Sequence, residues 1–201
     1  MKQKPQEAEN MKLTKAISLS RKYSPSQPSH DFSHALRVMS KALLALSIDR
    51  ATYSHIDDDF IIDVSCACLI HDCLDHKFVH DPDEYAEIKA SLVTELGEEM
   101  VAVSISTSWS KRTLNLVDSH SRTRSRLIAR YVQNADWWDA IDLERAVQYS
   151  KETGLVGEEL REDVISHCRE KLVLIHSELS DTFQKLAQND HKKLMEDLER
   201  F

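Results

Sequence analysis

The chain is expected to be all-α, a helical bundle, and three observations carry that expectation. Only three glycines and four prolines interrupt 201 residues, of which 30% are charged, a composition that suits a mostly helical protein. Apolar residues recur at three- and four-residue spacing, as at Leu36, Met39, Leu43 and Leu46, and that spacing lines one face of a helix. Acidic clusters stand where helices should begin, at Asp57-Asp58-Asp59 and at Asp81-Pro82-Asp83-Glu84. Carboxylates favour the positive end of the helix dipole, and proline suits the first turn.

The elements follow in order. Residues 1–10 read as frayed, and Met11 to Lys22 carries a helical pattern. Ser24-Pro25-Ser26-Gln27-Pro28 is a loop, and the next helix begins near Ser29 to Asp31. Phe60 to Ile70 is an apolar, buried helix entered through the three aspartates. The helix opened by Asp81-Pro82 ends near Gly97. Val101 to Ile105 alternates like a strand but has helical neighbours, and it is read as helix. Residues 106–120 are rich in Ser and Thr and read as a loop holding Lys111, Arg112 and His120. A helix from about Arg122 to Trp138 starts with Arg122, Arg124 and Arg126. Cations there oppose the dipole, so they need an anionic partner or water. Further helices are expected at about 142–151, 158–179 and 181–199, after a break marked by Gly154 and Gly157.

The length suits one domain, or one with an appendage, and 41% hydrophobic residues are enough for a sizeable core. The formal net charge of -8 argues against nucleic acid as a partner, because such binding needs a net basic face. No apolar run is long enough to cross a bilayer, and the polar start has no signal-peptide pattern. Cys66, Cys68, Cys73 and Cys168 form no CxxC pair and read as buried free thiols. Together these features point to a cytoplasmic protein.

His71-Asp72 is the most informative pair. The apolar segment ends there and delivers an imidazole and a carboxylate side by side, a combination that suits Mn, Fe, Zn or Co. His34 and Asp136 lie on other predicted helices among apolar neighbours. Taken singly, each reads as a satisfied polar residue of a core. Taken together with the doublet they make an H…HD…D array.

That array resembles the HD-domain superfamily of metal-dependent phosphohydrolases. It looks most like the small single-domain bacterial members that cleave nucleoside triphosphates to monophosphate and pyrophosphate. Their HDxxHxxRV opening is matched by His30-Asp31-Phe32-Ser33-His34-Ala35-Leu36-Arg37-Val38. Their acidic residue and Lys-Phe after the doublet are matched by Asp75-His76-Lys77-Phe78, and an Asp-rich stretch follows at His80 to Glu84. Their last motif, Asp-Ala-Asp-Arg-Leu-Asp-Ala, here reads Asn134-Ala135-Asp136-Trp137-Trp138-Asp139-Ala140. The Gly-rich continuation is missing.

The resemblance implies an HD-domain helical bundle over residues 12–155, with residues 156–201 as extra C-terminal helices packed on it. It implies hydrolysis of a phosphate ester or anhydride in a nucleotide or similar small phosphorylated molecule. The metal ligands would be His34, His71, Asp72 and Asp136, holding one divalent ion per chain (Mn, Co, Fe, Zn or Mg). Asp75 is the candidate to take a proton from water. Lys77, Arg37, Lys111 and Arg112 are the candidates to meet phosphate. Trp137 or Trp138 could stack a base, but neighbours on a helix point about 100° apart, so at most one faces the site. Two other functions stay open: an HD-fold di-iron oxygenase, which would need His120 or another His at the metal, and a non-catalytic nucleotide-binding HD module. A homodimer also stays open.

Overall fold

Helices start where the sequence offers a capping carboxylate. Asp31 accepts from the amide of His34 (2.9 Å), Asp57 from that of Phe60 (2.7 Å), Asp81 from Asp83 (2.8 Å) and Asp142 from Arg145 (3.2 Å). Each such cap satisfies an orphan amide of the first turn and contributes about 1 kcal/mol. The structure is a computed structural model describing residues 5–108, 122–178 and 181–198. Among these, nine helices and no strand are present: α1 (Pro5–Tyr23), α2 (Phe32–Asp49), α3 (Asp58–Ile70), α4 (Pro82–Leu96), α5 (Glu98–Ser108), α6 (Arg122–Asp139), α7 (Leu143–Glu152), α8 (Gly157–Glu178) and α9 (Asp181–Leu198). The all-α expectation holds, and the architecture is compatible with an HD-type bundle.

Two boundaries differ from the sequence reading. Helix α1 begins at Pro5 rather than Met11, because proline's missing N–H costs nothing in a first turn. Helix α5 takes in Val101 to Ile105 and runs on to Ser108, past the expected loop start. Lys111, Arg112 and His120 lie outside the described residues. Between α4 and α5, Gly97 takes φ +90°, a conformation that disfavours any residue with a Cβ.

Helix α3 is the axis of the bundle and packs against α1, α2, α5 and α6. From Val64 to Ile70 every residue is buried, so the helix is apolar all round rather than striped. Phe60, Leu69 and Ile70 are almost fully enclosed, each contributing roughly 1.5–3 kcal/mol of transfer free energy. The basic start of α6 finds its anion here: Arg124 pairs with Asp63 of α3 at 3.1 Å. Helices α8 and α9 close the other side. Helix α8 packs on α6 and α7, and α9 on α2, α6 and α8. Buried Asp49 ties α9 in by accepting from Tyr131 (2.6 Å) and Thr182 (2.5 Å). No helix among the described residues is long and apolar enough to cross a membrane.

All four cysteines are free and buried. Burial pushes the thiols of Cys66, Cys73 and Cys168 up to about 12, and it raises Cys68 as well. The thiolate is the reactive form. Ellman's reagent at pH 7.5 should therefore find no fast-reacting thiol in the folded protein and four after denaturation. Rapid native reaction at any one of them would mean that the segment around it opens.

Candidate metal centre

Four chain segments meet at one point. The Asp31 cap fixes the first turn of α2 and with it His34, which has no exposure to solvent. The end of α3 presents His71 as its C-cap, followed directly by Asp72. The last turn of α6 brings Asp136 and Asp139, three residues apart and so on one face. The first turn of α7 brings Arg145.

The two imidazoles are oriented from behind. His34 Nδ1 donates to Asp139 Oδ2 at 2.9 Å, and His71 Nδ1 donates to the carbonyl of Cys68 at 2.7 Å. In the neutral rings both bonds leave the lone pair on Nε2, and the two Nε2 atoms lie 3.2 Å apart. Asp72 Oδ2 lies 3.5 Å from His34 Nε2 and 3.3 Å from His71 Nε2. Asp136 Oδ1 lies 3.3 and 4.0 Å from the same two atoms. Bonds of roughly 2.1 Å set neighbouring ligand atoms about 3 Å apart around an octahedral ion. The spacing therefore fits a divalent metal, and His34, His71 and Asp72 form a group able to hold one.

The decisive atom is Asp72 Oδ2. It is buried and has no hydrogen-bond partner, an arrangement that costs free energy unless something cationic completes it. The two Nε2 atoms within 3.5 Å of it repel it when both rings are neutral, as metal ligation requires. The side chain of Asp136 is 32% exposed, against 12% for Asp72 and 4% for His71, so the centre opens to solvent on the Asp136 side.

Electrostatics binds the cluster. Burial works against a charged Asp136, but Arg145, His34 and His71 outweigh it and hold the carboxyl well below its ordinary range. Burial likewise opposes ionised Asp139, and the His34 hydrogen bond and the Arg145 charge prevail. For His34, burial and Arg145 oppose protonation, yet its bonds to Asp136 and Asp139 raise its pKa above the ordinary value. Beside it, His30 packs its ring on Phe78 at 4.8 Å, and burial with nearby Arg145 pushes its pKa down to about 3.

The other described residues singled out from the sequence have partners of their own. Asp75 is buried, but the segment past the doublet is a succession of turns rather than the helix that would put it one turn beyond Asp72. Its Oδ1 accepts from the amide of Lys77 at 2.8 Å, and its Oδ2 lies 3.9 Å from Lys77 Nζ. Arg37 reaches Asp139 with Nε at 3.3 Å. Trp137 packs in the core, as does Trp138, whose Nε1 donates to Asp190. Two residues went unassigned in the sequence: Asp139 as the orienting carboxylate, and Arg145. The first was legible from its i+3 spacing to Asp136. The second carried a signal too, a cation in a first helical turn, where the dipole disfavours it.

No protein-family model matches the chain, and no curated protein matches it. Among solved structures, the crystal structure of Bacillus subtilis YpgQ is similar, at 21% identity and a TM-score of 0.62, covering 94% of this chain and 95% of that one. The likeness is one of fold.

Because Asp139 sets the direction of the His34 lone pair, Asp139→Asn should weaken Mn2+ binding by about 10–100-fold in calorimetric titration, with the circular dichroism of the fold retained. An unchanged affinity would mean that packing alone holds the ring.

Proposed function

We propose that the chain is a metal-dependent phosphohydrolase acting on a phosphate ester or anhydride of a nucleotide or similar small phosphorylated molecule. One observation carries the reading: a buried carboxylate oxygen without a partner, Asp72 Oδ2, faces two imidazole nitrogens whose far sides are already tied. The H…HD…D order of the ligands and a fold like that of YpgQ support it.

In this reading His34, His71, Asp72 and Asp136 hold the ion. A divalent ion so held supplies Lewis-acid chemistry, acidifying water and polarising a phosphoryl oxygen. Asp75 takes a proton at Oδ2, since Oδ1 is engaged by the Lys77 amide. Arg37 and Lys77 contribute positive charge toward the phosphate, joined by Lys111 and Arg112 from the chain between α5 and α6.

Metal analysis with a phosphate-release screen over nucleoside mono-, di- and triphosphates tests the reading. His71→Ala and Asp72→Ala should each lose metal and activity together, because each supplies a bond to the ion. Turnover that survives either change, or exhaustive chelation, would exclude the mechanism. Two iron ions per chain would favour the oxygenase instead.

A second prediction separates proton transfer from binding. Asp75→Asn should lower kcat by about 10²–10⁴-fold with little change in KM or metal content. Lys77→Ala should lower kcat/KM. A kcat within about threefold of wild type in Asp75→Asn would leave Asp75 as a turn-forming residue only.

A further inference from the structure

Arg145 is the one buried guanidinium beside the centre among the described residues, and it touches the atoms a metal needs. Its Nη2 lies 3.2 Å from Asp136 Oδ1 and 3.4 Å from His34 Nε2. An imidazole nitrogen has a single lone pair. His34 Nε2 therefore serves either the guanidinium or an ion, and an arginine does not give up its proton to resolve the conflict.

Arg145 also has little freedom to withdraw. Its Nε donates to the carbonyl of Ser29 at 3.2 Å and lies 3.4 Å from Asp139 Oδ2. Its own amide is bonded to the Asp142 cap. The residue is 8% exposed. When the ligand atoms pass to an ion, the Nη2 end loses its partners while the Nε end stays fixed. A guanidinium N–H edge is then left pointing at the centre.

The local charge reverses at the same moment. With both imidazoles neutral, as metal ligands must be, Asp72, Asp136 and Asp139 count against Arg145 and Arg37 and leave one net negative charge. A divalent ion turns that into one net positive charge. Loading a divalent ion therefore makes the centre more attractive to an anion.

We propose that Arg145 is a further phosphate-binding residue of this site, carried by Asp136 and His34 until a divalent metal takes those atoms and then free to bind the substrate's phosphate. The assignment rests on the phosphohydrolase reading for its ligand. It also orders the binding: metal first, phosphate second. Arg37 and Lys77, with side chains 42% and 64% exposed, must be immobilised on binding, whereas Arg145 is already placed and loses less freedom. Its planar fork matches two phosphate oxygens.

Calorimetric titration of inorganic phosphate into Mn2+-loaded protein tests this without turnover. Mn2+ affinity is measured separately. Arg145→Met should bind Mn2+ at least as tightly as wild type, because a competitor for Asp136 is gone, and should bind phosphate at least about tenfold more weakly. Metal-free wild type should bind no phosphate. Arg145→Lys keeps the charge without the fork, and its phosphate affinity should lie between. It also carries the test if the Met variant does not fold. Phosphate binding within about threefold of wild type in loaded Arg145→Met, or within that margin in Arg145→Lys should the Met variant not fold, overturns the proposal. So does equal binding by metal-free wild type. If loaded wild type binds phosphate through Arg145 but hydrolyses no phosphate compound, this assignment stands and the hydrolase reading fails. Hydrolysis with phosphate binding indifferent to Arg145 is the reverse result.

Discussion

A carboxylate removed from water costs roughly several kcal/mol unless cations and donors surround it, and Asp139 has no exposure at all. It accepts hydrogen bonds from His34 Nδ1 and Arg37 Nε and faces the charge of Arg145. Those three residues come from α2 and α7, while Asp139 ends α6. The same bonds that neutralise Asp139 therefore fix the relative placement of three helices and the direction of the His34 lone pair. Other parts of the site follow from it. Asp136 lies one turn back on the same face, and Arg145 reaches it because Asp139 has already drawn the guanidinium inward.

The bundle tolerates this concentration of charge because the second half of α3 carries none. From Val64 to Ile70 it offers only apolar, cysteine and serine side chains to its neighbours. Its end then needs partners for its last carbonyls. His71 Nδ1 takes the Cys68 carbonyl, and Ser104 takes that of Ile70 at 2.9 Å. Ending the helix and aiming the ligand are thus a single hydrogen bond. Moving His71 by one residue would lose both.

The fold was legible where its causes are local. Asp31, Asp57, Asp81 and Asp142 cap helices through their own first turns, and the apolar run of α3 marks a helix buried all round. The doublet was legible because its two residues are adjacent. Asp75 was harder, since its segment is built of turns, such as the one closed by Asp75 N to Asp72 O, and turns leave no periodicity to read. Arg145 was hidden for a different reason. Its contacts with Ser29 and His34 span more than a hundred residues of sequence, and periodicity carries no information over that range.

Yet the sequence did hold a trace of that contact, in the form of two local errors. Asp136 and Asp139 stand in the last turns of α6, at the negative end of its dipole, and Arg145 stands in the first turn of α7, at the positive end. Each placement is unfavourable alone, by a few tenths of a kcal/mol to about 1 kcal/mol. Together they cancel, because the short turn from Ala140 to Asp142 folds one helix end against the other and brings Arg145 to 3.2 Å from Asp136. A residue that offends its own helix while satisfying a neighbour is what local consistency lacks at a functional site. The same pairing is also reversible in principle, since neither group is at its preferred helix end. A divalent ion competing for Asp136 meets a guanidinium held by a bond its own helix does not favour.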